Sequence, residues 1–188
     1  MKTRLFIIGL LVVAIPALSG CQTTGSQASD ASAAARIDRD ADVALTNLYD
    51  SVPKARELAE QAKGILVFPS IVKAAFIGGA QYGKGALREA DRTVGYYSSL
   101  AASYGLQAGV QTFGYALFFM NEAALSYLDR SAGWEVGVGP SIVVLDHGKA
   151  KALTTTTLKH DIYAFIFSQK GLMAGLGLQG SKITKINP

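Results

Sequence analysis

Cysteine occurs once in the 188 residues, at Cys21, so no disulfide can close within the chain and no thiol in its body can act as a nucleophile. The strained Gly-x-Ser-x-Gly elbow that presents a catalytic serine is missing too. Charge is sparse, at 17% of residues, and the formal net charge is only +4. Two of those positive charges, Lys2 and Arg4, sit in the first residues; without them the balance is +2, which gives no electrostatic footprint for nucleic acid. No long apolar run is present either. Leu5–Leu18 is the longest, and a spanning helix needs about 20 such residues. Strand-like segments do not alternate regularly with helical ones, so nothing demands a parallel sheet.

The glycine-rich strings each lack something their chemistry requires. Gly78-Gly79-Ala80-Gln81-Tyr82-Gly83-Lys84-Gly85 nearly fits a phosphate-binding loop, but the residue after the lysine must offer a hydroxyl to magnesium, and Gly85 has none. Gly175-Leu176-Gly177-Leu178-Gln179-Gly180 spells the dinucleotide fingerprint, yet the chain ends at Pro188 with strand-like residues where a helix should follow. Two His/Asp pairs, Asp146-His147 and His160-Asp161, are the candidates for a metal, and both fall at predicted turns, where polar residues are ordinary. Thr154–Thr157 reads as strand. No cofactor is expected, and the reading is of a non-enzyme; a metal- or nucleotide-dependent enzyme is the weaker alternative.

What is present begins with the N-terminus. A basic start, the apolar run to Leu18 and the small residues Ser19 and Gly20 before Cys21 have the three parts of a secretory signal peptide. Leu18-Ser19-Gly20-Cys21 resembles the lipobox of bacterial lipoproteins. That resemblance implies cleavage before Cys21 and acylation of its thiol and new amine. One acyl chain anchors only marginally, at about 0.8 kcal/mol per buried methylene, and several hold firmly. Gln22 follows in place of the aspartate that often signals inner-membrane retention. The expected location is therefore the outer membrane, periplasmic face. Residues 1–20 are read as signal peptide, 21–35 as a lipidated flexible tether of small polar residues, and 36–188 as one domain.

Ile37, Ala41, Ala44, Leu45, Leu48 and Val52 recur at helical spacing. Asp38, Asp40, Asp42 and Asp50 on the same helix would oppose an anionic bilayer, so its apolar face is assigned to packing on the domain. Pro53 opens a second helix to about Ala62, with Gly64 as its stop. From Ile65 the period becomes two. Strands are predicted over 64–69, 73–87, 93–120, 133–145, 153–158 and 162–168, with a last one over 172–186 after a turn at Gln169-Lys170-Gly171. Asp146–Lys149 is read as a hairpin turn, and Asn121–Asp129 as a capped helix. Glycines on one parity strip side chains from one face and permit sharp bends. The expected fold class is α+β: a strongly bent antiparallel β-sheet or barrel-like core, packed with N-terminal helices and one further helix.

Four segments carry a family resemblance: Ala62–Pro69 (AKGILVFP), Leu106–Gly114 (LQAGVQTFG), Gly133–Pro140 (GWEVGVGP) and Lys170–Gly175 (KGLMAG). In these strings and their order the chain, from about Asp42 to Ile186, resembles SYLF domains. The resemblance implies a lipid-binding module; eukaryotic members bind phosphoinositides and some bind or bundle actin, while bacterial members often occur as lipoproteins. It implies membrane phospholipid as partner, with an envelope protein–protein module as the alternative and the protein partner unknown. Basic residues near predicted strand and turn ends, Lys73, Lys84, Arg88, Lys170, Lys182 and Lys185, are the candidate lipid contacts. Lys84 and Arg88 are four apart on one strand and are expected to face the same side.

Overall fold

A computed structural model describes residues 24–130, 132–145 and 160–188, and the backbone alone for 24–29 and 175–179. Two helices, α1 (Thr24–Ser51) and α2 (Pro53–Ala59), precede two very long strands, β1 (Gly64–Glu89) and β2 (Arg92–Phe119). A short helix α3 (Glu122–Leu125) runs into a 3-10 turn at Ser126–Asp129, followed by β3 (Trp134–Glu135), β4 (Ile142–Leu145) and a third long strand, β5 (Ile162–Ile186). The three long strands pair antiparallel in the order β1-β2-β5. On the far edge of β5, β4 pairs parallel with Ile162–Phe165, and β3 pairs antiparallel with Lys182–Ile183. The fold is α+β with a strongly curled sheet.

The curl comes from bending each long strand rather than breaking it. Pro69 and Ser70 form a bulge inside β1, whereas the sequence suggested a strand end there. A proline removes only one ladder donor, and a bulge tolerates that loss. The predicted turn at Gln169–Gly171 is likewise continuous strand, with a bulge at Ser168–Gln169 and positive φ at Ser168 and Gly171. A further bulge lies between Phe76 and Gly78, where Ile77 has φ 65°. For a β-branched residue that conformation costs about 1–3 kcal/mol, so the surrounding pairing must impose it. Here β1 turns back along itself. On the facing side stand Gly79, Gly83 and Gly85: a Cβ at Gly85 would overlap the Val67 carbonyl, and one at Gly83 would lie 2.8 Å from Ile71 Cγ1. Absent side chains let the two halves of β1 touch.

The beginnings of β1 and β5 and the end of β2, which pair with one another, are buried on both faces. Leu66, Phe68, Ile71, Leu117, Phe119 and Ala164 point into the fold of the sheet, closed by Trp134, Ala124 and Leu128. Val67, Ala116, Phe118, Tyr163 and Phe165 point outward beneath Ala41, Ala44 and Leu48 of α1. Two-sided burial explains why Ile65–Phe68 and Leu117–Phe119 read as unbroken apolar runs. Asp38 fixes the helix by accepting from Thr93 Oγ1 at 2.8 Å and Tyr96 Oη at 2.9 Å.

Several expected boundaries change. α1 begins at Thr24, so residues from 24 that were read as tether are helical; Ala31, Ala33, Ala34 and Ala35 supply the propensity. α2 ends at Ala59, and Gly64 opens β1 instead of stopping the helix. The stretch 133–145 is not one strand. Gly137 and Gly139 have φ 98° and 99°, a conformation that interrupts the ladder between β3 and β4. Asn121 does cap α3, its Oδ1 accepting from Ala124 N at 2.8 Å. Cys21, Asp146–Lys149 and the predicted strand 153–158 lie outside the described residues.

Candidate functional site

Beyond α1 the same three strands continue into the bend, and their two faces exchange character. On β2 the even residues Leu100, Ala102, Tyr104, Leu106, Ala108 and Val110 face out and are exposed. The odd residues Ser99, Ser103 and Gln107 face in and are buried, with Gln107 Nε2 donating to Ser103 Oγ at 2.8 Å. Register carries the pattern sideways. Val110 lies between Ala74 and Leu172, Ala108 between Phe76 and Ala174, and Leu100 between Tyr82 and Lys182. Phe76, Leu106 and Leu172 are 79%, 82% and 87% exposed, and Tyr104 is 76% exposed. A contiguous apolar ridge of this kind on a soluble surface marks a contact site.

The ridge contains no charge. None occurs from Thr93 to Asn121, between Lys73 and Lys84, or between Lys170 and Lys182. This was the signal available in the sequence: three charge-free strand segments whose outward parity is apolar and whose inward parity is mostly Gln, Ser and Gly, with Ala75, Ala101 and Met173 among them. Alternation alone does not say which parity faces water, and the usual assignment puts the apolar one inside.

The six candidate basic residues separate. Lys84, Lys170 and Lys182 are exposed on the outer face, at the two margins of the ridge. Lys182 stands opposite Glu135 on β3. Lys73 has the other parity and lines an inner cavity of about 320 Å³ with Gln81, Ser99 and Gln111. Lys185 pairs with Asp129 at 3.5 Å and lies 6.0 Å from the Tyr97 ring centre. Arg88 does not share the setting of Lys84. It faces the same side of β1, as expected, because the register shift between Leu87 and Arg88 adds its extra residue, Val94, on β2; there its guanidinium meets α1, pairing with Asp42 and donating to the Asp38 carbonyl at 3.3 Å. It holds α1 to the sheet, so replacing it loosens the helix whatever it does to binding.

Of the two His/Asp pairs, Asp146-His147 lies outside the described residues, and in the other Asp161 has a structural role. Asp161 accepts from Ser141 N and Oγ at 2.9 Å each and from Asn121 Nδ2 at 2.9 Å, tying β5 to the segments before it. The Ser141 backbone bond, then the side-chain bonds, hold its carboxyl below the usual value. Among the described residues no three His, Cys, Asp or Glu side chains stand together for a metal. Gly78–Gly85 lies along β1, and Gly175–Gly180 along β5. Desolvation pushes the hydroxyls of Tyr97 and Tyr115 up to about 12. No helix among the described residues is long and apolar enough to cross a membrane.

Residues 100–187 match the Ysc84 family, described as a Las17-binding protein actin regulator. This segment is a Ysc84, or SYLF, domain. The match covers most of β2 and all of β5, and so includes two of the three strands that build the ridge. No curated protein matches the chain. SYLF is a binding-domain family of lipid- and actin-binding type, and a non-catalytic binding role fits it.

Proposed function

We propose that this chain is a lipoprotein of the bacterial cell envelope, acylated on Cys21 and held on the periplasmic face of the outer membrane, whose SYLF domain binds phospholipid without catalysis. The observation that carries the reading is the charge-free apolar ridge bordered by Lys84, Lys170 and Lys182. Lysines at the margin meet headgroup phosphates, while the uncharged strands between them meet the apolar layer. Each lysine contributes about 1 kcal/mol near an anionic surface, less in salt. The family description also names a protein partner, and an exposed apolar ridge would suit one.

Cosedimentation of residues 22–188 with vesicles of phosphatidylethanolamine and phosphatidylglycerol separates these readings. Binding that weakens with salt and in the combined variant Lys84→Gln, Lys170→Gln, Lys182→Gln is expected. No binding to these or to phosphatidylcholine vesicles removes the lipid reading and leaves the protein-partner one. Intact mass of the membrane-extracted protein tests the anchor: acyl mass on a chain starting at Cys21 is expected, and a mature chain without it refutes lipidation.

A further inference from the structure

We infer that the bend of the sheet enters the bilayer as a wedge and stops at the boundary between headgroups and acyl chains. The inference rests on the lipid reading above and adds the mode and depth of engagement. Three features point to a bilayer surface rather than a single bound lipid. The most exposed apolar side chains, Phe76, Leu106 and Leu172, stand on the outside of a bend and project, whereas the cavity within the fold mixes Phe113, Tyr115, Val136 and Ile166 with Lys73 and the glutamines Gln81 and Gln111. A single acyl chain wants a predominantly apolar pocket that surrounds it, and a cavity that holds a lysine and several glutamines is a poorer place for one than a projecting ridge is for a bilayer. The cations lie on both sides of the ridge, Lys170 at one margin and Lys84 with Lys182 at the other, as a planar anionic layer requires. Tyr104, exposed between Gly78 and Leu178, adds an aromatic ring with a polar tip of the kind enriched at membrane interfaces.

The backbone sets the depth. Apolar-out and polar-in alternation is the pattern of membrane-spanning barrels, but those are closed. Here, among the described residues, β1 has a strand partner only in β2, and from Ile166 to Ser181 β5 has one only in β2. Open sheet edges are not tolerated in hydrocarbon, where water cannot satisfy their backbone groups. A partly submerged wedge keeps those edges among headgroups and water while burying the ridge, at the depth where amphipathic surfaces lie, about 5–10 Å below the headgroups.

The test uses residues 22–188, which contain no cysteine because the single one is Cys21. Leu106→Cys carries an environment-sensitive nitrobenzoxadiazole dye, and Thr46→Cys, exposed on α1, carries the same dye as control. With phosphatidylethanolamine/phosphatidylglycerol vesicles the dye at 106 should shift to the blue. It should be quenched by spin labels near the lipid carbonyls and not by labels at the chain ends, and the dye at 46 should not respond. Leu106→Asp, at a solvent-facing position that leaves the fold intact, should weaken vesicle binding about tenfold or more. Binding without a blue shift at 106, or full binding by Leu106→Asp, overturns the wedge and leaves surface binding in place. A blue shift before lipid is added that grows with protein concentration overturns it in favour of a second copy covering the ridge. Failure of the unmodified chain to bind any vesicle removes the lipid reading and the wedge together.

Discussion

The half of the sheet under α1 and the half at the bend are made of the same three strands; along β2 the same parity faces out in both, while bulges in β1 and β5 switch the outward parity of those strands between the halves. Under the helix the outward residues Ala116 and Phe118 are fully buried, and at the bend their counterparts Leu106 and Val110 are exposed. The inward residues change in the opposite sense, from Leu117 and Phe119 to Gln107 and Ser103. Apolar outward residues are therefore not by themselves evidence of core. What decides is whether another element of the chain covers them, and α1 ends its coverage before the bend.

The sharpest way to break the comparison is to truncate one residue in each half. Phe118, which meets Phe165 edge-on at 5.1 Å between ring centres, should cost about 3–5 kcal/mol as Phe118→Ala. Leu106→Ala should stay within about 0.5 kcal/mol. Chemical denaturation of both variants checks this; equal losses would mean that the ridge is packed in solution and that the contrast is false.

A smaller effect is expected at Gly139, in the turn that closes the inner side of the fold. Its φ is 99°, and a Cβ would overlap the ring of Tyr127. Gly139→Val should cost about 1–3 kcal/mol, read as a lower thermal midpoint. Gly137, with nothing within 4 Å of its Cβ position, should lose less as Gly137→Val, from backbone conformation alone. A midpoint ranking of the two variants in the reverse order would show that Tyr127 does not pack there.

The smallest effect concerns pH. Asp161 has its folded pKa lowered by the bonds from Ser141 and Asn121. Its contribution is fully present above the ordinary aspartate pKa and is lost as pH falls through the lower folded value. Asp161→Asn should flatten the acid side of a plot of thermal midpoint against pH. An unchanged acid limb would place the acid sensitivity in other carboxylates.

Much of the fold was legible because it depends on local pattern. Ile37–Val52 at helical spacing, Pro53 at a helix start, Asn121 as a cap and the glycines of a bent sheet all follow from short-range rules. The continuity of β1 through Pro69 and of β5 through Gly171 did not, because cross-strand pairing overrides a local breaker. The candidate cations were legible only as residue types. Parity put Arg88 on the face of Lys84, but whether it met Asp42 or solvent depended on a helix docked from far along the chain. The ridge was hidden for the same reason: parity shows which residues share a face, and only tertiary coverage shows which face is wet.

The seam within β1 has a consequence for shape. Because Gly79, Gly83 and Gly85 bring its two halves together, the angle at the bend is set by contact rather than by spring-like flexing of the strand. A side chain at Gly85 would act as a spacer, prying the halves apart and blunting the edge on which Phe76 and Leu106 stand. Sharpness here is a matter of three missing side chains, and two of them flank Lys84, so one seam governs both the edge and the spacing of the lysine margins.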